Sequence, residues 1–410
     1  MKGLITRRVV LKTAGAGSFY GNWSAGNRTE MQDTENARDV YQMLGVPRII
    51  NAAGTITTLG GSLMPPEVTA AWTQASQSFV PLLELQDRIG EAISKLLQVD
   101  AALVTTGAAG GILLGTAAAM TYRDHNLIEA LPMNPEEGWE VIRQKSHQAC
   151  YDHQITACGV RLIEVETVDE LHRSIHKKTV MMMAYNVHEE NSTISRSDWL
   201  AAAKQRGIPT LLDAAADTPP LDRMWKYNHM GYDMVVFSGG KGLRGPQGTG
   251  LLLGRKDLIE AAKRNTSPYC SNIGRGMKVS KEDMVAMWAA LDRFVHLDHR
   301  AEWDRWIQQI REIEMYVEAL PTVTTKTVTP PIANHVPHLV IDWDPKRIPL
   351  TPAQMKVQLS EGDPSISTAR VHGTGQDGFL VSVFVLQPGE SAIVGGRIKS
   401  ILETAMYGKK

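Results

Sequence analysis

From Val46 onward, short apolar and β-branched runs alternate with longer stretches in which apolar positions recur every three or four residues. Residues 160–165, 179–184, 210–212 and 234–237 predict strands, because a strand buried on both faces keeps a near-continuous apolar run. Residues 198–206 predict a helix, which Gly207 and Pro209 end before the next strand. Repeated strand, helix, strand units predict an α/β fold with a parallel sheet covered on both faces, where ligands sit at the carboxyl ends of strands. The polar helical stretch 281–319, with three tryptophans, reads as a bridge to a smaller carboxy-terminal domain, and Pro330-Pro331 as a corner after it. Neither an internal repeat nor a low-complexity run is present.

Residues 101–120 hold twenty residues without a charge, about the length of a membrane span. Four glycines and three threonines inside it argue instead for a strand that ends in a Gly-rich turn and opens a buried helix. No membrane span is therefore expected.

Composition narrows the class. The 410 residues carry 43 Lys plus Arg against 44 Asp plus Glu, a formal net charge of −1, which excludes a nucleic-acid protein held by bulk positive charge. With 43% hydrophobic and 21% charged residues the chain can bury a large core, and disorder of the whole chain is excluded. Cys150, Cys158 and Cys270 form neither a disulfide framework nor, with histidine, a metal site. Near the start, Thr6-Arg7-Arg8-Val9-Val10-Leu11-Lys12 is similar to a twin-arginine export motif; the alternative is a disordered basic tail. The location is thus cytoplasmic, or periplasmic if the motif works. The expected organisation is a tail over 1–30, an arm over 31–60, a large domain over 61–290, and a bridging helix with a small α+β domain over 291–410.

The strongest chemical signal is Phe237-Ser238-Gly239-Gly240-Lys241-Gly242-Leu243-Arg244-Gly245-Pro246-Gln247-Gly248, a lysine enclosed by glycines directly after an apolar strand. Such a lysine can reach a ligand as a nucleophile, as Schiff-base lysines must. A phosphate-binding Gly-rich loop is the alternative, but the Walker spacing is absent. Twenty-eight residues earlier, Asp213 ends another apolar strand, where it can pair with the protonated pyridine nitrogen of pyridoxal phosphate or simply cap a helix. Thr105-Thr106-Gly107-Ala108-Ala109-Gly110-Gly111 breaks from a strand into a helix start able to bind a phosphate. Between cup and aspartate lies Lys145-Ser146-His147-Gln148-Ala149-Cys150-Tyr151-Asp152-His153. His147 is the candidate to stack on a cofactor ring, with Lys145, Tyr151 and His153 behind it; Asn186 and His188 are weaker candidates.

At this point the chain resembles the bacterial selenocysteine synthase family and its shorter relatives, among them glucosaminate-phosphate ammonia-lyase. The resembling blocks are Arg48-Ile49-Ile50-Asn51-Ala52-Ala53-Gly54-Thr55, Thr106-Gly107-Ala108-Ala109, the Phe237 to Gln247 loop, and Gly274-Arg275-Gly276-Met277-Lys278-Val279-Ser280-Lys281. The resemblance implies a fold-type I pyridoxal 5'-phosphate enzyme with a large parallel or mixed sheet. It implies Lys241 as the Schiff-base lysine, Asp213 on the pyridine nitrogen, and Gly107, Ala108 and Ser238 on the phosphate. It also implies Arg370 as the substrate carboxylate clamp, Arg275 as a further substrate-side arginine, and a homodimer or larger ring. Selenocysteine synthase carries a tRNA-binding domain ahead of the Asn-Ala-Gly block, for which some fifteen residues leave no room, so the small-molecule branch fits better.

The expected activity is an ammonia-lyase acting on a small 2-amino acid with a β-hydroxyl leaving group, giving a 2-keto acid and ammonia. Lys241 is expected as the base, with His147 or Tyr151 as the acid at the leaving group. The alternatives are β-replacement of the selenocysteine synthase kind, transamination, aldol cleavage or racemisation on the same lysine and aspartate, and a non-catalytic scaffold.

Overall fold

A computed structural model describes residues 39–133, 135–368 and 379–408, so the twin-arginine motif and Arg370 lie outside the described residues. The chain divides into two units, 1–48 and 49–410. In the first, helix α1 (Val40–Met43) is capped by Asp39, whose Oδ1 accepts from Tyr41 N at 3.0 Å and pairs with Arg48 at 3.1 Å.

Among the described residues, the second unit contains every strand. In chain order these are β1 (Ile49–Asn51), β2 (Ala101–Thr105), β3 (Glu140–Gln144), β4 (Arg161–Val165), β5 (Thr179–Tyr185), β6 (Thr210–Asp213), β7 (Met234–Ser238), β8 (Gly250–Gly254), β9 (Thr324–Val328), β10 (His338–Asp342), β11 (Ser365–Ser367) and β12 (Phe379–Ser382). The main helices are α2 (Pro66–Ser76), α3 (Leu82–Leu97), α4 (Gly107–Thr121), α5 (Asp152–Thr156), α6 (Val168–Ser174), α7 (Arg196–Arg206), α8 (Arg223–Met230), α9 (Lys256–Arg264), α10 (Lys281–His296), α11 (His299–Val317), α12 (Pro352–Ser360) and α13 (Glu390–Tyr407).

Seven strands form one sheet in the order β2-β8-β7-β6-β5-β3-β4. All its pairings are parallel except those of β8, which is antiparallel to both β2 and β7, so the sheet is mixed. Alternation along the strands explains why both faces are apolar. Met182, Leu212, Val235 and Phe237 pack into one core with α3, α7 and α10, while Met181, Met183, Leu211 and Val236 pack into a second with α4 and α9. Helix α4, buried almost all round, accounts for the uncharged 101–120 stretch. Among the described residues no helix is long and apolar enough to cross a membrane.

A third core belongs to the carboxy-terminal part, where β12-β10-β9 form an antiparallel sheet against α11 and α13. Within the stretch expected as an arm, residues 49–51 instead pair in parallel with β11, and Ile50 and Ala52 enter this core. The expected long helix over 281–319 is two helices. Asp298 interrupts it by capping α11, accepting from Arg300 N and Ala301 N at 3.0 and 2.9 Å. As a result α10 packs on α2 and the sheet core, and α11 on the carboxy-terminal core.

Candidate active site

Four strand ends and the turns after them assemble the site, and Lys241 stands in the turn after β7. That turn is closed by backbone bonds from Gly239 N to Thr249 O (2.8 Å), Gly245 N to Gly239 O (2.8 Å) and Arg244 N to Lys241 O (3.0 Å). Gly242 is required by close approach, since a Cβ there would lie 2.0 Å from the Thr218 carbonyl oxygen. Ser62 Oγ donates to Gly240 O at 2.9 Å and fastens the turn from outside.

Asp213 ends β6, and its Oδ1 accepts the backbone N–H of Ala215 at 2.8 Å. Burial raises its pKa to about 6, moderated by that N–H and by Lys241 and reinforced by Asp217. Lys241 moves the other way: burial lowers its pKa against the opposing pull of Asp213 and Asp217.

Tyr151, Asp213, Ala215 and Lys241 line two cavities at once. The larger, about 370 Å³, also touches Gln148, Tyr185, His188, Asp217 and Asn334. The smaller, about 200 Å³, reaches Gly107, Ala108, Ala109, Ser238, Thr55 and Gln247. Gly107, at φ +70°, opens α4, and Thr106 before it makes no side-chain bond to the first turn. The amides of that turn can therefore serve an anion. Lysine, strand-end carboxylate and open helix start around one continuous wall fit pyridoxal phosphate, whose aldehyde, ring nitrogen and phosphate need those three groups.

Of the expected residues, the structure brings Lys241, Asp213, Gly107, Ala108, Ser238 and Tyr151 together. It does not bring His147 to the cavity wall. His147 is fully buried and its Nδ1 accepts the backbone N–H of Tyr185 at 3.1 Å, so Nε2 holds the proton and donates to Ser192 Oγ at 2.8 Å. Burial, His188, Arg143 and Arg196 lower its pKa to about 4, which leaves it neutral and occupied with structure. Lys145 is exposed and pairs with Glu166 at 3.3 Å, and His153 borders an outer hollow. Arg275 is exposed and lines neither cavity. Residues that sequence reasoning missed are Tyr185, Asp217, Asn334, Thr55 and Gln247. Tyr185 had a signal, its place at the carboxyl end of β5; burial, Asp152 and Asp213 keep its hydroxyl protonated. No group of His, Cys, Asp and Glu among the described residues could hold a metal.

The aminotransferase class-V family matches residues 145–270, the span that carries Tyr151, Asp213, Ser238 and Lys241. With the sheet and site above, this makes the protein a fold-type I, pyridoxal-phosphate-dependent enzyme. Among known proteins, the D-glucosaminate-6-phosphate ammonia lyase of Salmonella typhimurium is 27% identical over 378 residues, covering 90% of this chain and 99% of that one. A solved structure of D-glucosaminate-6-phosphate ammonia-lyase matches with a TM-score of 0.76 at 26% identity, covering 90% of this chain and 99% of that one. The L-seryl-tRNA(Sec) selenium transferase of Proteus mirabilis is 24% identical over 298 residues, 67% of this chain and 60% of its own length. These similarities support the lyase reading and agree with the resemblance drawn from the sequence.

Proposed function

We propose that the protein is an ammonia lyase that eliminates a β-hydroxyl from a small 2-amino acid and releases a 2-keto acid and ammonia. The observation that carries this reading is the shared wall of Lys241, Asp213 and Tyr151, which opens on one side to the helix-start cradle and on the other to a cavity for substrate. Similarity to an ammonia lyase over nearly the whole chain supports the outcome. Bound pyridoxal phosphate supplies an electron sink for the charge left on the α carbon.

Each role falls to a group of this chain. Gly107, Ala108 and Ser238 would hold the phosphate, and Asp213, at the end of β6, would hold a proton on the ring nitrogen. Lys241 Nζ, made less basic by burial, takes the α proton. Tyr151 is held in its protonated form by burial, with Cys150 and Asp213 adding to it. Its hydroxyl protonates the departing β oxygen, which leaves as water, and hydrolysis of the resulting unsaturated amine gives keto acid and ammonia. A homodimer or larger homo-oligomer goes with this reading.

Lys241→Ala should abolish both the visible absorbance that borohydride fixes on Lys241 and the release of ammonia from 2-amino-3-hydroxy acids. A variant that keeps both refutes the assignment. A second reading, β-replacement, is favoured by the similarity to the selenium transferase. Product analysis separates the two, because replacement retains the amine and elimination liberates it.

A further inference from the structure

We propose that Asp217 is a positioning residue for the cofactor lysine, a second enforced carboxylate that raises the basicity of the nitrogen held at Lys241. The proposal rests on Lys241 being that lysine and goes beyond the reaction assigned above.

Asp217 lies four residues past Asp213, is 1% exposed, and shares the wall of the larger cavity with Lys241. An uncompensated carboxylate in such a place is costly. Here the compensation has a direction. Arg196 is gripped by Glu189, Nε to Oε1 at 3.1 Å and Nη2 to Oε2 at 3.0 Å, and donates from Nη2 to Asn186 Oδ1 at 2.6 Å. With its oxygen committed, the Asn186 amide must turn Nδ2 the other way. There it donates to Asp217 Oδ2 and, at 2.9 Å, to Tyr227 Oη. Tyr227, having accepted from Asn186, directs its own proton to Asp217 Oδ2 at 2.7 Å. Two donors converging on one oxygen leave it no place for a proton of its own and favour the ionised form of the acid.

The charges around it agree. Arg196 lies over the Tyr227 ring at 5.7 Å, and Arg223 Nη1 donates to the Asp217 backbone oxygen at 3.3 Å. Burial raises the carboxyl's pKa on balance, and Tyr227, Asn186, Arg223 and Arg196 oppose that rise. The other titratable groups in that wall are Asp213, Lys241, Cys150, Tyr151, Tyr185 and His188, of which only Asp213 is a carboxylic acid. Lys241 thus faces two carboxylates. Once Asp213 serves the cofactor ring, Asp217 is the anion left to act on the nitrogen at Lys241.

The test is a pH titration of the visible absorbance of the cofactor-loaded protein. Asp217→Asn should lower the midpoint by about one pH unit, the effect of removing one nearby opposite charge. Tyr227→Phe, which removes one donor and so favours the protonated acid, should lower it by less. An unmoved midpoint in Asp217→Asn overturns the proposal and leaves Lys241 in its role. A wild-type protein without an absorbance that borohydride fixes on Lys241 overturns both. Where Asp217→Asn fails to fold or load, Tyr227→Phe decides: a downward shift supports the proposal and an unmoved midpoint overturns it.

Discussion

Asp213→Asn should make the cofactor-free protein more stable, and increasingly so as pH rises. The distance from an ordinary 3.8 to about 6 corresponds to roughly 3 kcal/mol at about 1.4 kcal/mol per pH unit. This carboxyl is raised, so its sign is opposite to that of a salt-bridged aspartate. Below about pH 4 it is protonated in folded and unfolded chains alike and costs nothing. Between about 4 and 6 the unfolded chain ionises first, stability falls, and above about 6 the full penalty is present. Asparagine keeps an oxygen for the Ala215 N–H and carries no charge to bury. The gap between variant and wild type should grow from roughly 1 kcal/mol at pH 4.5 to roughly 3 kcal/mol at pH 8, trimmed by any water in the cavity. Urea midpoints of both proteins, freed of cofactor, at the two pH values measure it. His147 and His338, both lowered to about 4 chiefly by burial, tilt the baseline the other way, because stability is lost as pH falls from about 6.5 toward 4. They tilt both proteins equally and cancel in the difference. A gap that does not change with pH, or a variant less stable than wild type at pH 8, would refute the reasoning.

Tyr151→Phe should reduce kcat for elimination by about 10² to 10⁴ with little change in KM and none in the cofactor absorbance. Steady-state ammonia release checks this, and a kcat within a factor of three of wild type removes Tyr151 from the acid role. Gly242→Ala should destabilise the protein by about 1–3 kcal/mol and loosen the cofactor, because its Cβ would press on the Thr218 carbonyl and displace the lysine turn. Thermal melts with measured cofactor occupancy test it; unchanged values for both would show that the turn yields without consequence.

The strands around the site were legible because each is an apolar run bounded by glycine, proline or small polar residues, and β4 to β7 fall within a residue or so of expectation. Lys241, Asp213 and Gly107 were legible for a related reason, since each breaks an apolar run at its carboxyl end. The antiparallel direction of β8 was not, because a run such as Gly250-Leu251-Leu252-Leu253 carries no direction. His147 looked like a site residue through its neighbours in sequence, but a backbone N–H 38 residues away decides where its ring points. Thr55 and Asn334 reach the wall from turns remote in sequence, a placement that only tertiary packing determines.

The reversed strand sets an order of events during synthesis. Gly250 stands opposite both Thr105, at the mouth of the cradle, and Ser238, at the root of the lysine turn, so β8 alone joins these two edges. It leaves the ribosome about 145 residues after β2, a wait of roughly 7–30 s at about 5–20 residues per second. Until then β2 has no strand beside it and α4, which packs on β5 to β7, still lacks β8 and α9, so the nascent chain most needs chaperone cover there. Cofactor capture is correspondingly a late event, and a fragment that stops before residue 250 lacks the strand that pairs with both edges of the site.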